Sequence, residues 1–198
     1  MRALVVALLL AAGPAAAGDV LHDVEARLSH ARVTRGRFQQ HKQLVGIARP
    51  LEGSGTFLVD RERGVVWRSE RPFETVLRIT RREIMQSGGG EVLMRLSADS
   101  EPAVKTVSAV LFATFAADLA ALSQFFVFEG DATDATWRLT LRPREPALAR
   151  LIRRLDISGD RQVRRVQLMA ASGDLLLIDF REVETAAAPT PGEAAEFD

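Results

Sequence analysis

The sequence predicts an α+β fold, an antiparallel meander of about ten short strands interrupted by helices. Three observations carry this reading. Between Gly53 and Ile79 the apolar residues Phe57, Val59, Val65, Trp67, Phe73, Leu77 and Ile79 keep to one side, with charges largely at alternate positions or in turns. Short breakers, Asp60-Arg61-Glu62-Arg63-Gly64, Arg71-Pro72 and Gly88-Gly89-Gly90, leave room only for hairpin connections. From Glu101 to Ala117 the apolar spacing then lengthens from two residues to three and four.

The first residues, a basic start at Arg2 and an apolar run to Ala12 followed by Ala15-Ala16-Ala17, read as a secretory signal over residues 1–17 with cleavage after Ala17. Asp19 to Ala31 places Val20, Leu21, Val24 and Leu28 at helical spacing, with Asp19 positioned to cap the start. Val33 to Val45 lacks helical period and reads as a long, bent first strand. Short strands follow at 56–59, 65–69, 75–80, 83–86 and 92–96. In the helical stretch Val104, Val107, Val110, Leu111 and Phe115 recur on one face, and a second short helix is expected over 118–122.

Strand period returns over 125–129 and 136–142, where Trp137, Leu139 and Leu141 face one way and Arg138, Thr140 and Arg142 the other. Residues 143–151 read as a helical turn, and three last strands are expected over 154–158, 163–170 and 175–183. A single domain over 18–184 accounts for these elements. Residues 185–198, mostly Ala, Pro and acidic side chains with one Phe, are expected to form a disordered tail.

Composition excludes several classes of chemistry. There is no cysteine, so neither a thiolate nucleophile nor a disulfide is available. The three histidines, His22, His30 and His41, lack metal-ligand spacing, and Gly53-Ser54-Gly55 is not a nucleophile elbow. Gly88-Gly89-Gly90 lacks the Lys-Ser/Thr ending of a phosphate loop. With 26 basic and 26 acidic residues, the chain has no electrostatic footprint for nucleic acid. No catalytic constellation, metal or cofactor is expected. What the sequence offers instead is apolar surface without hydroxyls, ten Phe and two Trp but no Tyr, which suits either an ordinary core or an apolar ligand cavity.

The runs Arg37-Phe38-Gln39-Gln40, Arg49-Pro50-Leu51, Gly53-Ser54-Gly55-Thr56-Phe57, Val65-Val66-Trp67 and Pro72-Phe73 resemble the periplasmic outer-membrane lipoprotein carrier LolA and its relatives. Asp118-Leu119, Leu122, Phe126, Trp137-x-Leu139-x-Leu141-x-Pro143 and Ile157-x-Gly159 are similar to a LolA-related branch. The resemblance implies a strongly curved antiparallel sheet, an unclosed half-barrel, with helices forming a lid over its concave apolar face. It implies a monomeric, non-enzymatic periplasmic carrier that takes the acyl chains of a lipoprotein, glycolipid or polyene lipid from an inner-membrane donor complex to an outer-membrane acceptor.

The alternative reading is an envelope sensor or interaction module that binds lipoproteins and a membrane protein. The expected lining is Phe57, Trp67, Phe73, Leu77, Ile79, Trp137, Leu139 and Leu141 from the sheet, with Val107, Leu111 and Phe115 from the lid. By its place before Trp67, Arg61 corresponds to the family arginine linked to lid closure and cargo release.

Overall fold

A computed structural model describes residues 17–97, 99 and 102–197. The expected signal segment, apart from Ala17, lies outside the described residues. Helix α1 (Ala17–Arg27) leads into six strands, β1 (Val33–Gln43), β2 (Leu51–Asp60), β3 (Gly64–Arg71), β4 (Thr75–Ile79), β5 (Glu83–Gly88) and β6 (Glu91–Ser97). Helices α2 (Pro102–Phe115) and α3 (Leu119–Ser123) follow. The chain then forms β7 (Phe126–Ala132), β8 (Trp137–Pro143), the single turn α4 (Pro146–Ala149), β9 (Ile152–Gly159), β10 (Val163–Ala170), β11 (Leu175–Ala186) and a short α5 (Pro191–Ala195).

All eleven strands form one antiparallel sheet in the order β6-β5-β4-β3-β2-β1-β11-β10-β9-β8-β7. Two meanders, one from each half of the chain, meet where β1 pairs with β11. The outer strands β6 and β7 do not pair, so the barrel is unclosed, and α2 and α3 carry the chain from one free edge to the other. Alternation holds along the strands. Trp137, Leu139 and Leu141 are buried while Arg138 and Arg142 are exposed, and Leu155 and Ile157 continue the same inner face on β9. Helix α2 packs over β3 to β6, whereas α1 and α3 pack against β7, so the concave face is roofed in two parts.

Local chemistry explains where the elements begin and end. Asp118 caps α3, its carboxylate accepting from the Ala121 N–H at 2.9 Å. Helix α1 already includes Asp19 and ends at Arg27, four residues short of the expected end. The reason is that the Ser29 N–H turns to the Arg161 carbonyl at 2.9 Å, tying the chain to the β9–β10 turn. Gly55 on β2 is required by close approach, since a Cβ there would stand 1.9 Å from the Arg68 carbonyl oxygen and 3.0 Å from the Phe38 ring.

The expected disordered tail over 185–198 is instead ordered as far as Phe197. Thr185 and Ala186 still pair with β1. Beyond them Thr190 and Glu193 form a reciprocal capping box for α5, and the segment lies on the convex face. Its few apolar atoms would not order it alone, but partners on the sheet do.

The β2–β3 turn is fixed from beneath by Asp60, whose side chain is fully buried. Its carboxylate accepts from Arg32 Nη2 at 3.1 Å and from the Glu62 N–H at 2.9 Å, while the Arg61 N–H donates to the Arg32 carbonyl at 3.0 Å. Burial alone would raise the Asp60 carboxyl, but the Arg32 and backbone hydrogen bonds and the Arg32 charge outweigh it and hold it below the ordinary carboxylate value. A group depressed in the folded state contributes stability above its unfolded pKa and loses it as pH falls through the folded value. Asp60→Asn is therefore expected to cost about 2 kcal/mol at neutral pH, and the deficit to narrow below roughly pH 4. Urea unfolding followed by Trp fluorescence at neutral and acid pH checks this, and a deficit independent of pH contradicts it.

Candidate functional site

Trp67 stands where sheet and lid meet. Phe38 from β1 stacks on it at 3.7 Å between ring centroids, Phe180 from β11 meets it edge-on at 6.1 Å, and Phe57 lies at 6.3 Å. From the opposite side Phe115, the last residue of α2, comes to 5.0 Å. Offset and edge contacts of this kind add about 0.5–1.5 kcal/mol each beyond the area they bury. Leu77 and Ile79 on β4 extend the wall beneath α2, and Val107 and Leu111 pack down on it as part of the same apolar cluster. Trp137, Leu139 and Leu141 belong to that cluster on the other wing, under the α1 and α3 side, with Trp137 Nε1 donating to the Asp160 carbonyl.

Phe73 is the one apolar residue of the expected lining that stays outside this cluster. It lies in the turn between β3 and β4 and is 78% exposed. Strand β3 ends at Arg71 and β4 begins only at Thr75, so the alternation counted back from Leu77 does not run through the turn. Two rings that belong at the centre, Phe38 and Phe180, were absent from the expected lining. The period-two run Leu176, Ile178, Phe180 carries the signal for one, while Phe38 stands among polar neighbours in a strand whose other large apolar side chain is Val33, at its start.

Arg61 projects from the β2–β3 turn to the junction between the two parts of the roof. Its Nη2 donates to the Ala116 carbonyl, just past α2, at 2.6 Å, and lies 3.5 Å from the Ser29 carbonyl, just past α1. One guanidinium thus ties the chain just past α1 and just past α2 to the β2–β3 turn. Beside it is a cavity of about 40 Å³, lined by Thr34, Phe57, Phe115, Phe180 and Val183 among others. That is room for about three waters, whereas small-molecule sites run to about 300–1,000 Å³. Ser108, buried on α2, has a hydroxyl with no hydrogen-bond partner among the described residues.

Among the described residues no helix is long and apolar enough to cross a membrane, and no group of three His, Asp or Glu side chains is placed to hold a metal ion. The architecture is instead that of a bowl with a roof fastened over it.

Comparison with known proteins bears on this arrangement. A search of curated proteins finds no match. Among solved structures, a DUF1329 family protein from Desulfovibrio piger superposes with a TM-score of 0.51 at 11% identity, over 92% of this chain and 96% of that one. A LolA superfamily protein from Nitrosomonas europaea gives 0.49 at 10% identity, over 87% and 94%. A chain of the Pseudomonas aeruginosa MucA/MucB complex gives 0.40 at 16% identity, over 90% of this chain and 60% of that one. The first of these likenesses speaks to the fold alone. The sequence itself goes further, because residues 12–195 match the family described as outer membrane lipoprotein carrier protein LolA-like, and that span takes in the bowl, its roof and the arginine between them. The chain therefore belongs to this LolA-like family.

Proposed function

We propose that this protein is a monomeric periplasmic carrier that takes up the acyl chains of a lipidated molecule between its concave sheet and its helical roof. It would receive that cargo, a lipoprotein, glycolipid or polyene lipid, from an inner-membrane donor and yield it to an outer-membrane acceptor. No bond is made or broken. The observation that carries the reading is Arg61 fastening the ends of α1 and α2 over an apolar concave face.

The energetics suit a carrier that opens and closes. Hiding a sixteen-carbon chain from water is worth on the order of 12 kcal/mol before costs, at about 0.8 kcal/mol per methylene. The cavity of about 40 Å³ cannot hold such a chain, so uptake requires α2 to move away from β3 to β6. Moving it breaks the Arg61 bond to Ala116 and parts Phe115 from Trp67. Those contacts favour the empty, closed form and so oppose cargo. A carrier that held its cargo with no such opposition would release it only slowly. Trp67, Phe57, Leu77 and Ile79 supply the wall under α2, Trp137, Leu139 and Leu141 the other wing, and Val107, Leu111 and Phe115 the roof.

Protein purified from the periplasm without detergent is expected to carry lipid detectable by mass spectrometry. Leu111→Asp or Phe115→Asp is expected to lower uptake of a fluorescent fatty acid about tenfold or more, while Phe73→Ser, at an exposed turn, leaves it unchanged. The absence of both copurified lipid and uptake would remove the carrier reading, and lipid-independent capture of a membrane protein would turn it toward a sensor.

Arg61→Leu should act in the opposite direction. Removing a bond made only in the closed form, worth about 1–1.5 kcal/mol, is expected to tighten lipid binding roughly five- to tenfold and to slow transfer to acceptor vesicles. Titration with the same fluorescent fatty acid measures this, and unchanged or weaker binding would refute the latch.

A further inference from the structure

The outer surface of β1 to β3 has an apolar floor on an otherwise polar convex face. Val33, Leu58 and Val66 are buried there in a cluster separate from the main core, with Val76 and Ala186 packed beside them. Phe197, from the segment after β11, also packs on this floor. Arginines border it and grip the same segment. Arg35 Nη1 pairs with Glu193 at 2.7 Å, Arg68 Nη2 with Glu196 at 3.0 Å, and Arg63 Nη1 donates to the Ala194 carbonyl at 2.8 Å.

The segment does not fill the groove it crosses. Between it and the sheet remains a cleft of about 340 Å³, where Arg35, Arg37 and Arg68 outnumber Glu182 and Glu184 on the sheet side and Leu58 and Val66 supply the apolar part. Its anchors are ion pairs of partly exposed side chains, each worth about 1 kcal/mol or less, together with the Arg63 bond to Ala194 and one aromatic ring. It stays seated because the short link 187–190 keeps its local concentration high, not because its contacts are strong. The groove thus already displays the chemistry it accepts, a turn of peptide bearing carboxylates over arginines and an aromatic side chain over the apolar floor.

We propose that this convex groove is a docking site for a protein partner presenting a short acidic peptide with an aromatic residue, and that the chain's own segment 190–197 is the intramolecular occupant such a partner displaces. The partner's peptide gains what the resident one lacks, the freedom to fill the remaining cleft and to bring the rest of its protein against the rim. The Arg63 bond to a backbone carbonyl and the apolar floor both favour a peptide over a simple anion or a lipid headgroup. This inference rests on the convex face and is independent of the carrier reading.

The test uses the full chain. Glu193→Arg, Glu196→Arg and Phe197→Asp together unseat the resident segment and leave the sheet side of the groove unchanged. A fluorescein-labelled peptide with the sequence of residues 189–198 is then titrated and followed by anisotropy. It is expected to bind the triple variant about tenfold or more tighter than the wild-type chain, whose groove is occupied. Adding Arg35→Glu and Arg68→Glu to the triple variant, or replacing the peptide's glutamates with lysine, is expected to lose that binding. In the wild-type chain, excess peptide should speed amide exchange over 191–197. Failure of the triple variant to bind, equal binding to both chains, or binding indifferent to the arginine changes would overturn the proposal, as would cosedimentation with anionic vesicles that the peptide does not reduce.

Discussion

The contact on which the molecule turns is Phe115 against Trp67. A sheet with one apolar face must bury it, and a sheet whose edges do not meet cannot bury it against itself. Trp67 gathers Phe38, Phe57 and Phe180 from three neighbouring strands into one aromatic surface, and the last residue of α2 closes on it. Gly55 permits this by leaving space under the Phe38 ring, and the chain's passage from β6 to β7 places the covering helix over the bowl. Curvature, roof and cavity are consequences of satisfying that one apolar face.

Charge does a different job from hydrophobic contact here. The β2–β3 turn is a rigid bracket because Asp60 is buried beneath it and held by Arg32 and the backbone N–H of Glu62. From that bracket Arg61 reaches inward to the ends of α1 and α2, while Arg63 reaches outward to the C-terminal segment. Apolar burial supplies the bulk of the stability, and three charged side chains in four consecutive residues, Asp60, Arg61 and Arg63, determine what is fastened where.

Much of this was legible in the chain because strand alternation and helix period are local. The segment 75–79, the Trp137-Leu139-Leu141 face and the Val107, Leu111, Phe115 stripe needed only their own neighbours to be read. Phe73 misled because alternation has no meaning across a turn, and it lies between the Arg71-Pro72 break and the strand that starts at Thr75. The order of the last residues was not legible for a different reason. The floor under Phe197 is assembled from Val33, Leu58 and Val66 on three separate strands, each of which by itself looks like an ordinary apolar residue of a half-buried strand. Arg61 was legible only through family resemblance, since an arginine in a charged turn carries no local sign that it will reach two helix ends.

The seam between the two meanders has a consequence for how the protein comes into being. Val33 pairs with Ala186, so the joint at the middle of the sheet brings together residues about 150 positions apart, a closure costing on the order of 4–5 kcal/mol in chain entropy. Each wing can assemble from hairpins as it emerges, but the bowl exists only once the final strand arrives between β1 and β10. Until then both wings present an open edge and an uncovered apolar face, the state most prone to mispairing with another chain. A newly made chain of this design spends its most hazardous interval waiting for β11.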